Sequence, residues 1–286
     1  MRRFLIAIST SLGLIASPVT AETVDEAAST EACEGCGALL ELAAASPARK
    51  DDSGRDKFRH PIETLSFFGV RPDMKVGEYA PGGGWYTRML APYLAGEGEL
   101  VGLFYDSGAT GIPERYRKGV PDQVTKFPEN AAGSLAKPGA KVAAFSLDAV
   151  PDGQAGTFDR ILVMRMMHNM MRWGIAASEL KTMATLLKDD GMLGIVQHRA
   201  KADAPDDYVD GSKGYLREAD VIDFVEAQGF DFVGKSEVNA NPKDTADYES
   251  GVWTLPPSLA KKDEDKARYE AIGESDRMTL LFRKAS

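Results

Sequence analysis

Residues 74–93, MKVGEYAPGGGWYTRMLAPY, constrain the fold more than any other stretch of the chain. The short apolar run 76–80 carries a single acid, Glu78. Gly82, Gly83 and Gly84 follow, and apolar residues then recur at helical spacing at Trp85, Met89, Leu90, Tyr93 and Leu94. The order reads as strand, tight glycine turn, helix. The glycines remove side chains where a ligand approaches the backbone, and the helix start offers free N–H groups beside them. With Asp106 lying 22 residues after Gly84, the turn fits a nucleotide-type ligand, the acid being placed to bind ribose hydroxyls.

The rest of the chain alternates in the same way. Strands are expected at 75–80, 99–105, 141–146, 159–164, 192–197, 230–238 and 277–283. Helices are expected at 85–94, 176–188 and 216–228, the second ended by Asp189-Asp190-Gly191. Residues 55–70 carry Ile62, Leu65 and Phe68 at helical spacing, with Gly69 as a stop. The Gly- and Pro-rich stretch 107–140 predicts a short helix and a loop, and the charged run 261–268 a solvated helix. Alternating β and α units imply a mostly parallel sheet. An insertion at 239–275 is long for a strand connection. Its Trp253 serves either as a pocket wall or as loop packing.

Arg2 and Arg3, the apolar run 4–16 and the small-residue stretch ending at Ala21 form a secretory leader, residues 1–21. An exported, periplasmic protein is expected, with a helical, partly mobile lead-in at 22–54 and a main domain at 55–286. Losing the leader's two arginines takes the net charge from −9 to about −11, which disfavours a nucleic-acid partner. No later segment is apolar enough to span a membrane. Cys33 and Cys36 read as a local structural disulfide or an idle pair; redox chemistry would want a βαβ context, and zinc would want more ligands.

Several motifs together resemble the class I S-adenosylmethionine (SAM)-dependent methyltransferases. EYAPGGGW resembles their first motif, FDRILVMRMMHNM (158–170) the fourth strand and its loop, and LLKDDGMLGIV (186–196) the approach to the fifth strand. The likeness spans roughly residues 55–284. More narrowly, RHPIETLSFFG, APGGGWYT, HNM, QHRA, NPKD and VWTLPP resemble a group of exported bacterial proteins described as predicted methyltransferases. The resemblance implies a Rossmann-like α/β sheet of seven strands, mostly parallel with the last antiparallel, and helices on both faces. It also implies SAM as cofactor, with Glu78, Ala80, Gly82, Gly83 and Gly84 around its methionine part and Asp148 near adenine. Phe104 stands where the family's ribose-binding acid usually lies, so Asp106 would have to act from two residues further on.

Ligands of open parallel sheets sit at the carboxyl ends of the strands, so His168 and His198 are expected to face one cleft. Either can serve as general base toward an oxygen or nitrogen of a small-molecule substrate. Asn169 is placed to orient that substrate, and Arg165, Arg172 or Arg199 to hold an acidic group on it. Trp253 and Tyr215 complete the candidate substrate residues. A metal is not expected, since the three histidines lie far apart in sequence. Two other readings remain: a non-enzymatic periplasmic binding protein on the same fold, and a nicotinamide-dependent oxidoreductase. The latter wants a last glycine that GGGWYT lacks.

Overall fold

The computed structural model describes residues 33–133 and 141–285; the leader at 1–21 lies outside them. In chain order the elements are α1 (Cys36–Ala44), α2 (Asp56–Arg59), α3 (Pro61–Phe67), β1 (Lys75–Tyr79), α4 (Thr87–Tyr93) and β2 (Glu99–Phe104). Then come α5 (Glu114–Arg117), α6 (Val120–Ala132), β3 (Lys141–Ser146), β4 (Phe158–Met164), α7 (Met167–Arg172), α8 (Ala176–Leu186) and β5 (Leu187–His198). The chain ends with α9 (Glu218–Glu226), β6 (Phe230–Ser236), α10 (Lys266–Ile272) and β7 (Arg277–Lys284).

The seven strands form one sheet in the order β3-β2-β1-β4-β5-β7-β6. β1 to β5 pair in parallel, and β7 runs antiparallel to both its neighbours. Chain order reverses between β1 and β4, which opens a crevice at their carboxyl ends. The reversal of β7 delivers its first residue to that same edge, pairing Arg277 with His198. Helices pack around the sheet over one continuous apolar core. No helix among the described residues is long and apolar enough to cross a membrane.

Four local expectations are corrected. The helix expected over 55–70 is split into α2 and α3 at His60, whose φ is 37°; the following Pro61 disfavours the right-handed helical region there. The stretch 107–140 holds α6, a thirteen-residue helix with Pro121 in its first turn and Pro128 inside it. Phe127 of α6 docks where Gly102 leaves room, since a Cβ there would lie 2.8 Å from the ring. Asp189-Asp190-Gly191 lies within β5, in a bulge between the pairs Phe158↔Leu187 and Arg160↔Met192. In the run 261–268, a helix begins only at Lys266, after Asp265 at φ 52°.

The described part of the lead-in is docked on the domain. Leu40 and Ala43 of α1 join the main core, and Arg49 is fully buried. Arg49 pairs with Asp56 at 2.6 Å and lies 5.0 Å from the Trp85 ring centroid. Cys33 and Cys36 are joined in a disulfide at the start of α1, whose first residue is Cys36. The insertion at 239–275 builds a second small core, in which Tyr248, Leu255 and Tyr269 pack with Ala200 and Tyr215.

Candidate functional site

After β1 the chain turns through Ala80 (φ 46°), Gly82 (φ 58°) and Gly84 (φ 72°). The two glycines adopt this left-handed backbone without strain, and Ala80 adopts it at a modest cost. A Cβ at Gly83 would meet nothing within 4 Å, so the turn faces open space. Glu78 is buried at the end of β1 and accepts a 2.6 Å hydrogen bond from Thr87 Oγ1. Burial raises its carboxyl to about 7 against the pull of that bond. Arg88 donates to the Gly83 carbonyl at 2.8 Å and to Asp52 of the lead-in at 2.9 Å. The lead-in therefore holds the turn from behind.

The turn opens onto a cleft of about 430 Å³ at the carboxyl ends of β1, β2, β4 and β5. Ala80 and Gly82 line one side, with Tyr105, Tyr116 and Trp173 forming an aromatic corner. His168, Asn169, Arg172, His198 and Trp253 line the other. His168 and His198 lie 5.7 Å apart, and the Trp253 ring lies 6.1 Å from His168, centroid to centroid.

Gln197 sets the tautomer of His168. Its amide nitrogen donates to the Gly214 and His198 carbonyls, so its oxygen faces His168 N at 3.3 Å and Nδ1 at 3.2 Å. Both of those nitrogens must donate, which leaves His168 Nε2 with a free lone pair. Burial lowers His168 to about 4, so it is neutral at pH 7. His198, with Nδ1 2.6 Å from Ser275 Oγ, is lowered well below its ordinary value by burial and then by His168 and nearby arginines.

A smaller cavity of about 290 Å³ adjoins the cleft and shares Arg165, His198 and Trp253 with it. Arg55, Arg59, Arg277 and Glu274 line it as well. Burial would raise the Glu274 carboxyl, but Arg277, Arg59 and Arg55 overcome this and hold it at about 2.

The other sequence candidates lie off both cavities. The Asp106 carboxylate accepts from Gly108 N at 2.6 Å, and the exposed Asp148 accepts from Ser107 Oγ at 3.0 Å. The substrate role expected of Arg199 does not fit its place, because three carboxylates (Glu218, Glu237 and Asp276) occupy its guanidinium. Tyr215 is likewise removed: fully buried in the small core, it donates to Asp244 at 2.9 Å. Sequence reasoning missed Glu179. Buried in α8, it accepts from Asp106 N at 2.9 Å and from the Tyr79 hydroxyl, and burial raises it to about 7. Its signal was an acid on the helix face of Ala176 and Met183. Arg55, Arg59 and Arg277 were also missed as site residues. Among the described residues no cluster of His, Cys, Asp or Glu could hold a metal ion.

No protein-family model matches the chain, and no curated protein matches it in sequence. Among solved structures, the [4+2]-cyclase SpnF is similar with a TM-score of 0.52 and 13% identity, over 87% of this chain and 92% of its own. The chain has the class I methyltransferase-like fold. Two SAM-dependent methyltransferases are also similar. One, from Aquifex aeolicus, has a TM-score of 0.45 and 17% identity over 71% of this chain and 93% of its own. The other, from Mesorhizobium loti, has 0.46 and 12% over 78% and 97%. On this methyltransferase-like frame, the crevice where strand order reverses is the cleft that holds the glycine turn and both histidines. A fold shared with a cyclase does not dictate one reaction, so function has to be argued from the cleft.

Proposed function

We propose that the chain is an exported SAM-dependent methyltransferase that methylates an oxygen or nitrogen of a small molecule. The observation that carries this reading is the single cleft shared by the glycine turn and the paired histidines. The residues present fit the cofactor. The turn at 80–84 exposes backbone beside open space at Gly83, and the cleft volume suits a ligand of that size. Ala80 and Gly82 would hold its methionine part, and Tyr105 would flank its nucleoside. Bound there, SAM supplies an activated methyl group.

The protein's own part is to position, desolvate and deprotonate. Asn169 and Trp253 orient the acceptor. His168 Nε2, neutral and unprotonated at pH 7, takes the acceptor proton. A weakly basic imidazole suffices, because an O–H or N–H becomes strongly acidic as the atom bearing it is methylated. Export is supported by the leader pattern, and the Cys33–Cys36 disulfide suits an oxidising compartment.

Calorimetric titration with SAM and with its demethylated product tests the reading. Binding near ~10 μM is expected for the protein from Glu22 onward, and its loss in Gly83→Asp with an unchanged melting temperature. The side chain of that variant meets no protein atom within 4 Å, so the fold is retained, and it adds a carboxylate next to Gly82 of the cleft wall. Absence of binding at about 1 mM would instead favour a non-enzymatic binding protein. One observation already leans that way: neither Asp106 nor Asp148 lines the cleft.

A further inference from the structure

We propose that the smaller cavity is an anion site that seats the carboxylate or phosphate group of the methyl acceptor. The words "methyl acceptor" rest on the function proposed above; the anion site itself does not. Four guanidinium groups, Arg55, Arg59, Arg165 and Arg277, line this cavity against one carboxylate, Glu274. Arg55 Nε and Arg59 Nε donate to the two Glu274 oxygens at 2.6 and 2.9 Å, and Arg277 Nη2 donates to Glu274 as well. Arg277 Nη1 is used by the Phe58 carbonyl at 2.9 Å, and Arg59 lies 4.8 Å from the Trp85 ring centroid.

One carboxylate cannot satisfy this many donors. Arg55 Nη2, Arg59 Nη1 and Arg277 Nε are buried and have no hydrogen-bond partner among the described residues. Arg59 is 5% exposed and Arg277 2%. The Arg165 backbone N–H donates to the Val196 carbonyl at 2.6 Å, but its guanidinium makes no hydrogen bond or ion pair among the described residues, although it stands at the junction of the two cavities. Buried charge is costly unless it is paired, and here four guanidinium groups share one carboxylate, three of them bonded to it and Arg165 to none. Planar guanidinium groups around a small cavity suit the geometry of a carboxylate or phosphate. The desolvation that Arg165 and Arg59 share lowers both, to about 9 and about 10, and an arriving anion would relieve it.

The same chemistry has a second source, the carboxylate of SAM itself. Its placement here is disfavoured because no residue of the turn at 80–84 lines the smaller cavity. Arg165, His198 and Trp253 line both spaces, so one molecule can place its acidic head among the arginines and its nucleophile beside the histidines.

Arg165→Gln is the informative variant, because the Arg165 guanidinium has no partner to lose. Titrations use inorganic phosphate, 4-hydroxybenzoate and its neutral amide, 4-hydroxybenzamide, each with and without SAM. At least one of the two anions is expected to bind, the acid more tightly than the amide, and Arg165→Gln to weaken anion binding about tenfold. Melting temperature should hold or rise in that variant, since a desolvated charge without a partner is removed, and SAM affinity should change much less than anion affinity. Failure of phosphate and the acid alike to bind at about 10 mM overturns the proposal, as does an amide that binds as well as the acid. Loss of SAM affinity in Arg165→Gln, with anion binding intact, assigns the cavity to the cofactor and overturns the acceptor assignment. Anion binding without any SAM binding sinks the methyltransferase reading and leaves the anion site standing.

Discussion

Two buried carboxyls and one buried imidazole give the molecule opposing dependences on pH. Burial raises Glu78 and Glu179 to about 7, so the folded protein holds their protons where the unfolded chain releases them. Each therefore costs stability progressively as pH rises from 4.5 to 7. His168 is lowered to about 4, so the unfolded chain takes up a proton first, and stability falls as pH drops from 6.5 to 4. Glu78→Gln keeps an acceptor for Thr87 and removes the titration. Relative to the parent it should gain up to ~3 kcal/mol between pH 4.5 and 8, read by urea denaturation. His168→Gln should gain a similar amount in the other direction, between pH 6.5 and 4. Parallel stability profiles for parent and variants would mean that these groups are not desolvated in solution.

At the level of elements, the lead-in acts as a strut behind the glycine turn. Asp52 binds Arg88, and Arg88 binds the Gly83 carbonyl. Asp52→Ala should cost about 1 kcal/mol, the pair being partly exposed, and should weaken SAM binding by releasing the turn. Unchanged affinity with lowered stability would make the strut structural only. Most strands and α4 were legible because apolar periodicity and glycine stops mark them locally. α6 was not, since Pro121 and Pro128 argue against a helix that docking of Phe127 at Gly102 stabilises. The first turns of β5 were hidden by Asp189-Asp190-Gly191, a loop signature that the sheet absorbs as a bulge. The convergence of His168 and His198 could be read because both follow parallel strands. The arginine cavity could not. Arg55 and Arg59 meet Glu274 across more than two hundred residues, and the register of β7 on β5 puts Arg277 beside His198. Arg199 misled for the same reason, because Glu218, Glu237 and Asp276 come to it from three distant segments.

On the scale of the whole molecule, the two cavities are bounded chiefly by three parts of the chain: Arg55 and Arg59 before β1, the strand ends with the segments that follow them, and the insertion at 239–275. The insertion contributes Trp253 to both cavities, while its own packing is anchored elsewhere, through Tyr215, Asp244 and Tyr248. These two tasks can be separated. Tyr215→Phe removes one donor from Asp244, which keeps the Ala246 and Asp276 amides at 2.9 and 2.8 Å. The loss should be about 1–2 kcal/mol of stability, with ligand affinity unchanged. Trp253 is only half-buried, so Trp253→Ala should leave the fold standing, merge the cavities and weaken binding of an acidic acceptor while SAM still binds at the turn. Denaturation and titration of both variants decide between a wall and a general support. If Trp253→Ala binds the acid as tightly as the parent, the acceptor does not lie across the two cavities. If Tyr215→Phe loses affinity along with stability, the insertion shapes the cleft as a packed unit, and Trp253 is one contact within it.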